Sequence, residues 1–388
     1  MSDPIRFAVI GCGMLAQATH VPNIARSPRL RLQTCCDLSD EALAVCRDKY
    51  GARRITKDYR AAINDPEVDA VCIATTEKIR LGPIEAAAAA GKPVYCEKPL
   101  ARSLEELSRI QSVVHQARIP FCVGHNRRSS PAMIDAHRIF RAHMTAPQPC
   151  PWRFDREGAA RVPLAEDGVA GMSVRINDDW WSWKNWVFDK EQAPHGPMLF
   201  EMTHFTDMCC WFLAAEPAEV VALEHGVLNG GVVIRYRTGE IATISMSANG
   251  TFGYPKELYE MFGHGGAVIV DHMVEVRTAG IAGAPARTLY PMRNDRFPEV
   301  GKEGGMAGWL AKNRAAAEAA GTDGQAFLAA LPGPDKGHAH ALERFVDEIL
   351  GRGPQVCGVD DAVLATRVAF AAIRSAKERR AVRLEELI

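Results

Sequence analysis

Gly11-Cys12-Gly13-Met14-Leu15-Ala16 follows the apolar run Ile5–Ile10 and opens a segment, Met14 to Ala25, that reads as a helix. Glycines at these two places suit a pyrophosphate. Gly11 permits a tight turn, Gly13 lets the backbone come close to the anion, and Ala16 is small enough for close helix–strand packing. The helix start adds amide donors, those of Met14 and Leu15 among them, and a partial positive charge. Asp37 ends the second apolar run, Leu30 to Cys36. A carboxylate there accepts hydrogen bonds from ribose hydroxyls and repels a 2′-phosphate. Leu38 and Ser39 bring no positive charge, so NAD is expected over NADP. Asp37 or Ser39 would also serve to cap the next helix.

A second group of residues is aromatic. The stretch Asp178 to Trp186 holds four of the seven tryptophans, Trp181 and Trp183 among them, beside two aspartates. Aromatic faces pack on sugar C–H groups and carboxylates bind hydroxyls. The same cluster also suits a core or an oligomer interface.

Elements must position these groups. Strand and helix signals alternate from the start. Runs at Ile5–Ile10, Leu30–Cys36, Asp69–Ala74, Val94–Cys96 and Phe121–Val123 are separated by helical stretches. Among these are Glu41–Tyr50, stopped by Gly51, and the alanine-rich Pro83–Ala90, closed by Gly91. Ser103 and Glu106 form a capping-box pattern for a further helix. This alternation predicts a doubly wound parallel sheet with its ligand edge at the strands' C-terminal ends.

After residue 123 the pattern changes. Val220–Leu223, Val232–Tyr236, Ile241–Ser247, Leu258–Phe262 and Val268–Val270 read as successive, largely antiparallel strands. Two helices close the chain, the first with an apolar stripe of Leu342, Phe345, Val346 and Ile349. Residues 279–335, rich in Ala, Gly and Pro, read as a long loop with one or two short helices. The expected organisation is an α/β chain of two domains. Residues 1–123 form a nucleotide-binding Rossmann domain. Residues 124–388 form an α+β domain with a large, mostly antiparallel open sheet that binds substrate and makes oligomers.

The 388 residues carry a formal net charge of -1. That leaves no basic field for a nucleic acid and no pull toward an anionic membrane. No apolar stretch is long enough to span a bilayer, and no secretory signal pattern opens the chain. The 11 cysteines show no C-x-x-C spacing, so no metal is expected and a reduced, cytoplasmic setting is.

Glu97-Lys98-Pro99, directly after Val94-Tyr95-Cys96, resembles the E-K-P motif of the Gfo/Idh/MocA oxidoreductases. Asp69-Ala70-Val71-Cys72-Ile73-Ala74-Thr75 and Ala90-Gly91-Lys92-Pro93-Val94 resemble the family segments before that motif. Val123-Gly124-His125-Asn126-Arg127-Arg128 is similar to the segment after it. Glu201-Met202-Thr203-His204-Phe205-Thr206-Asp207 resembles the family's carboxylate–His–Asp helix, and Lys336-Gly337-His338 precedes the penultimate helix as in many members. The chain departs from the family in three places. Glu201 lies three residues before His204 where D-x-x-x-H is more usual, Arg80 replaces a frequent His, and the glycine-rich segment shrinks to His195-Gly196-Pro197.

The resemblance implies an enzyme that moves a hydride between NAD and a secondary hydroxyl of a sugar, polyol or glycoside, working as a homodimer or homotetramer. Thr75, Glu97 and Lys98 would line the cofactor. Lys98 would polarise the substrate oxygen, and His204 would take or return the hydroxyl proton. Glu201 would accept a substrate hydroxyl, tune the imidazole, or make only a salt bridge. Asp207 would orient His204 and meet substrate, or face the domain interface. Asn126 and Arg127 would contact substrate or lie in a solvated loop. Two alternatives come from the same family: a redox-neutral glycosidase or lyase that retains NAD, and an NAD-binding regulator without turnover.

Overall fold

The computed structural model describes residues 3–148, 168–182, 185–189, 195–225, 229–294, 297–300, 304–331 and 333–387. Trp183, a candidate aromatic contact, lies outside them. The chain divides into two units. The first comprises Met1–Ser129 and Gly337–Arg367, the second Ser130–Lys336 and Val368–Ile388.

In the first unit the apolar runs become β1 (Ile5–Ile10), β2 (Leu30–Cys36), β3 (Arg54–Thr56), β4 (Ala70–Ile73), β5 (Val94–Cys96) and β6 (Phe121–Val123). They lie in the order β3-β2-β1-β4-β5-β6, and every pairing is parallel. Between them run α1 (Val21–Arg26), α2 (Asp40–Tyr50), α3 (Tyr59–Asn64), α4 (Leu81–Ala89) and α5 (Leu104–Ala117). Local chemistry fixes their ends. Ser39 accepts from the amide of Ala42 at the start of α2, and Gly51 turns left-handed at its end with φ 71°. Ser103 accepts from the amide of Glu106 at the start of α5.

Two apolar cores cover the faces of this sheet. One joins Ile10, Ile73, Val94 and Phe121 to Ile84, Leu107 and Ile110 of α4 and α5. The other joins Phe7, Val9, Cys72 and Tyr95 to Ile24 and Leu43, and to Leu342, Phe345 and Val346. The last three belong to the helix His338–Ile349, whose stripe was visible in the sequence. A boundary after residue 123 groups that helix with the second domain. Its contacts put it in the first, because its apolar face completes that core and Arg29 pairs with its Glu343 and Asp347 at 3.0 and 2.5 Å.

The second unit opens with α6 (Pro131–Thr145). Its strands are β7 (Gly171–Asn177), β8 (Pro217–His225), β9 (Asn229–Tyr236), β10 (Ile241–Ser247), β11 (Glu257–Gly263), β12 (Gly266–Asp271), β13 (Glu275–Ala279) and β14 (Arg287–Leu289). With a late strand, Val382–Arg383, they form one sheet ordered β14-β13-β12-β11-β7-β10-β9-β8 and then that strand. All neighbours are antiparallel except β7 and β10. Alternate residues are buried, such as Met172, Val174 and Ile176 in β7, so one face is covered and the other open. Two helices, α7 (Gly196–Phe200) and α8 (Met202–Leu213), follow β7 in the chain.

Residues 279–335 are more ordered than the sequence suggests. They hold β14, the hairpin β15 (Met292–Asn294) and β16 (Phe297–Val300), and the helices α9 (Gly305–Ala320) and α10 (Gly324–Ala330). The one or two helices expected there are present, and α9 runs longer than expected because alanines are strong helix formers. Trp309 of α9 packs with Val274 and Met292, and Asn313 donates to the carbonyl of Phe252. The chain closes with α11 (His338–Ile349), α12 (Val359–Glu378) and β17 (Val382–Arg383). No helix among the described residues is long and apolar enough to cross a membrane.

Candidate active site

Parallel topology gathers the first unit's candidates on one edge. Gly11 follows β1, Asp37 follows β2, Thr75 follows β4, Glu97 follows β5 and Asn126 follows β6. All are at the C-terminal ends of their strands, where open α/β sheets bind ligands.

Gly11 has φ 88°, and a Cβ there would stand 2.8 Å from the amide nitrogen of Thr75. Only glycine meets both conditions. A Cβ on Gly13 would meet nothing within 4 Å, so this position opens outward. Beyond it Met14 and Leu15 are exposed. The next turn, Ala16–His20, is a π-helix that runs straight into α1. Asp37 ties this turn to β2: one carboxylate oxygen accepts from the amide of Cys12 at 2.7 Å, the other from that of Ser39 at 2.9 Å. These features fit a dinucleotide. A glycine cradle lies open, a carboxylate is held at the end of β2, and the hydroxyl of Thr75 is buried with no hydrogen-bond partner among the described residues.

Glu97 and Lys98 are both buried. The π-helical turn brings His20 to Glu97, with Nε2 2.9 Å from Oε1. The other carboxylate oxygen accepts from the amide of Lys98 at 3.1 Å. The Lys98–Pro99 peptide is cis. A Cβ on Gly124 would stand 2.8 Å from Glu97 Oε1, so glycine leaves the room this carboxylate occupies. Burial pushes the Glu97 carboxyl up, but the hydrogen bond from His20 and the charges of His20, Lys98 and Arg80 outweigh it and hold it at about 2. Glu97 is therefore an anion that fixes the backbone of Lys98.

Arg80, noted in the sequence only as a departure, is buried and clamps two loops. Its Nη2 donates to the carbonyl of Thr75 at 2.8 Å, and Nη1 donates to that of Pro99. Asn126 and Arg127 are each about 3% exposed, which excludes the solvated-loop reading.

In the second unit, Glu201 stands at the junction of α7 and α8. Its amide donates to Pro197 and its carbonyl accepts from the amide of His204 at 3.1 Å. His204 and Asp207 are buried on α8, whose residues are almost all buried. The structure therefore brings Glu201, His204 and Asp207 onto successive turns, as their spacing implies. Near Glu201 is a pair that the sequence reading missed. Lys256 Nζ lies 2.8 Å from Asp178 and 4.0 Å from Glu201. Burial raises the Asp178 carboxyl, but the charge and hydrogen bond of Lys256 outweigh this and hold it below the ordinary range. The one available signal was Asp178 beside the tryptophans; Lys256 comes from the next strand over and had none. Trp181 is 80% exposed and stacks on Trp180 with centroids 4.5 Å apart.

Residues 5–125 match a family model described as "Oxidoreductase family, NAD-binding Rossmann fold". Over 404 aligned residues the chain is 22% identical to a myo-inositol 2-dehydrogenase of Thermotoga maritima, covering 99% of this chain and 100% of that one. It is 25% identical to an inositol 2-dehydrogenase of Rhizobium meliloti over 84% of this chain and 94% of that one. Among solved structures, a levoglucosan dehydrogenase in complex with NADH and levoglucosan superposes with a TM-score of 0.72, at 21% identity, covering 98% of this chain and 99% of the other. At that identity the likeness shows the fold alone.

Proposed function

We propose that this chain, whose residues 5–125 match the model of the Gfo/Idh/MocA oxidoreductase family, oxidises a secondary hydroxyl of a cyclic polyol or sugar, or reduces the matching ketone, with NAD. The inositol dehydrogenases among its relatives support that substrate class. The observation that carries the reading is an open Gly13 cradle and a buried lysine, Lys98, on the C-terminal edge of the same parallel sheet. Bound NAD supplies the hydride acceptor.

The protein's own groups do the rest. The backbone turn Gly11–Leu15 binds the pyrophosphate, and Asp37 accepts from the ribose hydroxyls and excludes a 2′-phosphate. Thr75 contributes its hydroxyl to the cofactor. Glu97 is a positioning residue: ionised and anchored by His20, it fixes the amide of Lys98. Lys98 polarises the substrate oxygen. His204 takes the hydroxyl proton as the C–H hydride leaves, so a carbonyl and an imidazolium result. Glu201, Asn126, Arg127, Trp181 and Asp207 bind or orient the substrate, with Lys256 holding the carboxylates of Asp178 and Glu201 in place.

The open sheet face exposes Val221, Leu223, Val233, Ile241 and Phe262. On that face the chain pairs with copies of itself as a homodimer or homotetramer. The ten described cysteines are all free, which suits a reducing, cytoplasmic setting.

The deciding experiment incubates the protein with NAD and a panel of inositols, aldoses and anhydrosugars and follows absorbance of NADH. Turnover on a cyclic polyol or sugar supports the reading. No turnover on the panel, with NAD bound, removes it and leaves the regulator alternative. NAD that stays with the protein and substrate consumed without net NADH would instead favour the redox-neutral alternative.

A further inference from the structure

Three thiols far apart in the chain meet beneath the glycine turn. Cys12 lies in the turn, Cys35 in β2 and Cys46 in α2, and their sulfurs all lie within 4.8 Å of one another. All three are buried. No C-x-x-C spacing announces them, because the βαβ crossover and not a local loop assembles the group. Three ligands around one ion at metal–sulfur distances of about 2.3 Å stand about 4 Å apart, so the sulfurs need only a slight contraction to close on a single ion.

We propose that Cys12, Cys35 and Cys46 form a trigonal site for a soft, thiophilic cation, cuprous copper. Ligand type and number select it. Structural zinc takes four ligands, and among the described residues no further imidazole, thiol or carboxylate joins this group. Thiolate-only sites favour Cu(I) over harder ions. Binding replaces three thiol protons by the metal, Cu⁺ + 3 RSH giving [Cu(SR)₃]²⁻ + 3 H⁺, with no change of oxidation state. Affinity therefore rises with pH.

The site has a built-in readout. The amide of Cys12 donates to Asp37, and the same turn ends at the open Gly13. An ion on the Cys12 sulfur stiffens and shifts that turn, so copper and NAD compete through it. This coupling, unlike the site, rests on the dinucleotide reading above.

The test is anaerobic titration of the full-length protein with Cu(I) against a colorimetric cuprous chelator, in a Cys150→Ser background. The expected result is one equivalent of copper, three sulfur scatterers by X-ray absorption, and affinity at least a hundredfold weaker in Cys35→Ala and in Cys46→Ala. Both variants are checked for folding by circular dichroism. Should they fail to fold, slower alkylation of Cys35 and Cys46 in the copper-loaded wild type than in the metal-free wild type, both in mild denaturant and read by mass spectrometry, replaces them. Equal copper binding by wild type and folded variants, unprotected Cys35 and Cys46, or no tight equivalent at all would overturn the site. One equivalent bound with unchanged NAD affinity would keep the site and remove only the coupling.

Discussion

Glu97 and His20 stand 77 residues apart in the chain and meet at 2.9 Å, both buried. The link joins the π-helical turn after the glycine motif to the loop that carries Lys98. Deleting His20 takes from the buried, ionised Glu97 the partner of its Oε1, which costs far more than the pair itself contributes. His20→Ala should destabilise the protein by about 3 kcal/mol, measured as a shift in the urea midpoint. A shift under a few tenths would show that the pair is dispensable.

The same carboxylate gives a pH prediction. Its native value, about 2, is below the ordinary glutamate value of about 4.3. The native state thus favours the ionised form. That stabilisation is complete above the ordinary value and fades as pH falls toward about 2. Unfolding free energy should therefore fall more steeply on acidification in wild type than in Glu97→Gln. Parallel pH profiles for the two proteins would refute it.

Gly11 and Gly13 should separate stability from binding. Gly11→Ala forces a positive φ on alanine and drives a Cβ into the backbone at Thr75, costing on the order of 2 kcal/mol or more. Gly13→Ala meets nothing in the protein, so its melting temperature should stay near wild type. Its NAD affinity should fall about tenfold or more, or at least 1.4 kcal/mol. Calorimetry of both variants checks this, and equal NAD binding by Gly13→Ala and wild type would place the dinucleotide elsewhere.

Lys98→Ala and His204→Ala should each lower kcat by about a hundredfold or more while NAD binding persists, since on the proposed mechanism both move or stabilise charge in the transition state. Initial rates with the substrate found by the panel give the measurement. Near-wild-type rates in both would remove the assigned chemistry.

Asp37→Ala should relax cofactor choice. On the proposed reading, losing the carboxylate removes both the ribose acceptor and the repulsion of a 2′-phosphate, so the ratio of kcat/KM for NAD over NADP should fall. An unchanged ratio would show that Asp37 serves only the amides of Cys12 and Ser39.

The sequence carried much of the first unit because its signals are local. Gly11, Gly13 and Asp37 are read from strand, turn and strand, and the topology that aligns them follows from the alternation itself. What it hid depends on long-range pairing. His20 reaches Glu97 only because the helix after the motif widens into a π turn. Cys12, Cys35 and Cys46 converge only once β1, β2 and α2 have packed. Lys256 finds Asp178 because β7 inserts between β10 and β11, a placement that no short-range pattern in Gly171–Asn177 reveals. The stretch around α9 was legible in part: its composition suggested a loop with one or two short helices and two are present, but helix propensity and the burial of Trp309 make α9 longer than expected and strands precede it.

Helix α11 has a bearing on how this chain is born. Leu342, Phe345 and Val346 close the core over Phe7, Val9 and Tyr95, yet they leave the ribosome some 200 residues after β6. The nascent nucleotide domain must wait, its apolar floor uncovered, while the whole second sheet is made. Synthesis at bacterial or eukaryotic speeds makes that wait on the order of ten seconds or more. During it the exposed face is a natural client for a chaperone, and residues 1–129 produced by themselves should aggregate where the full chain does not.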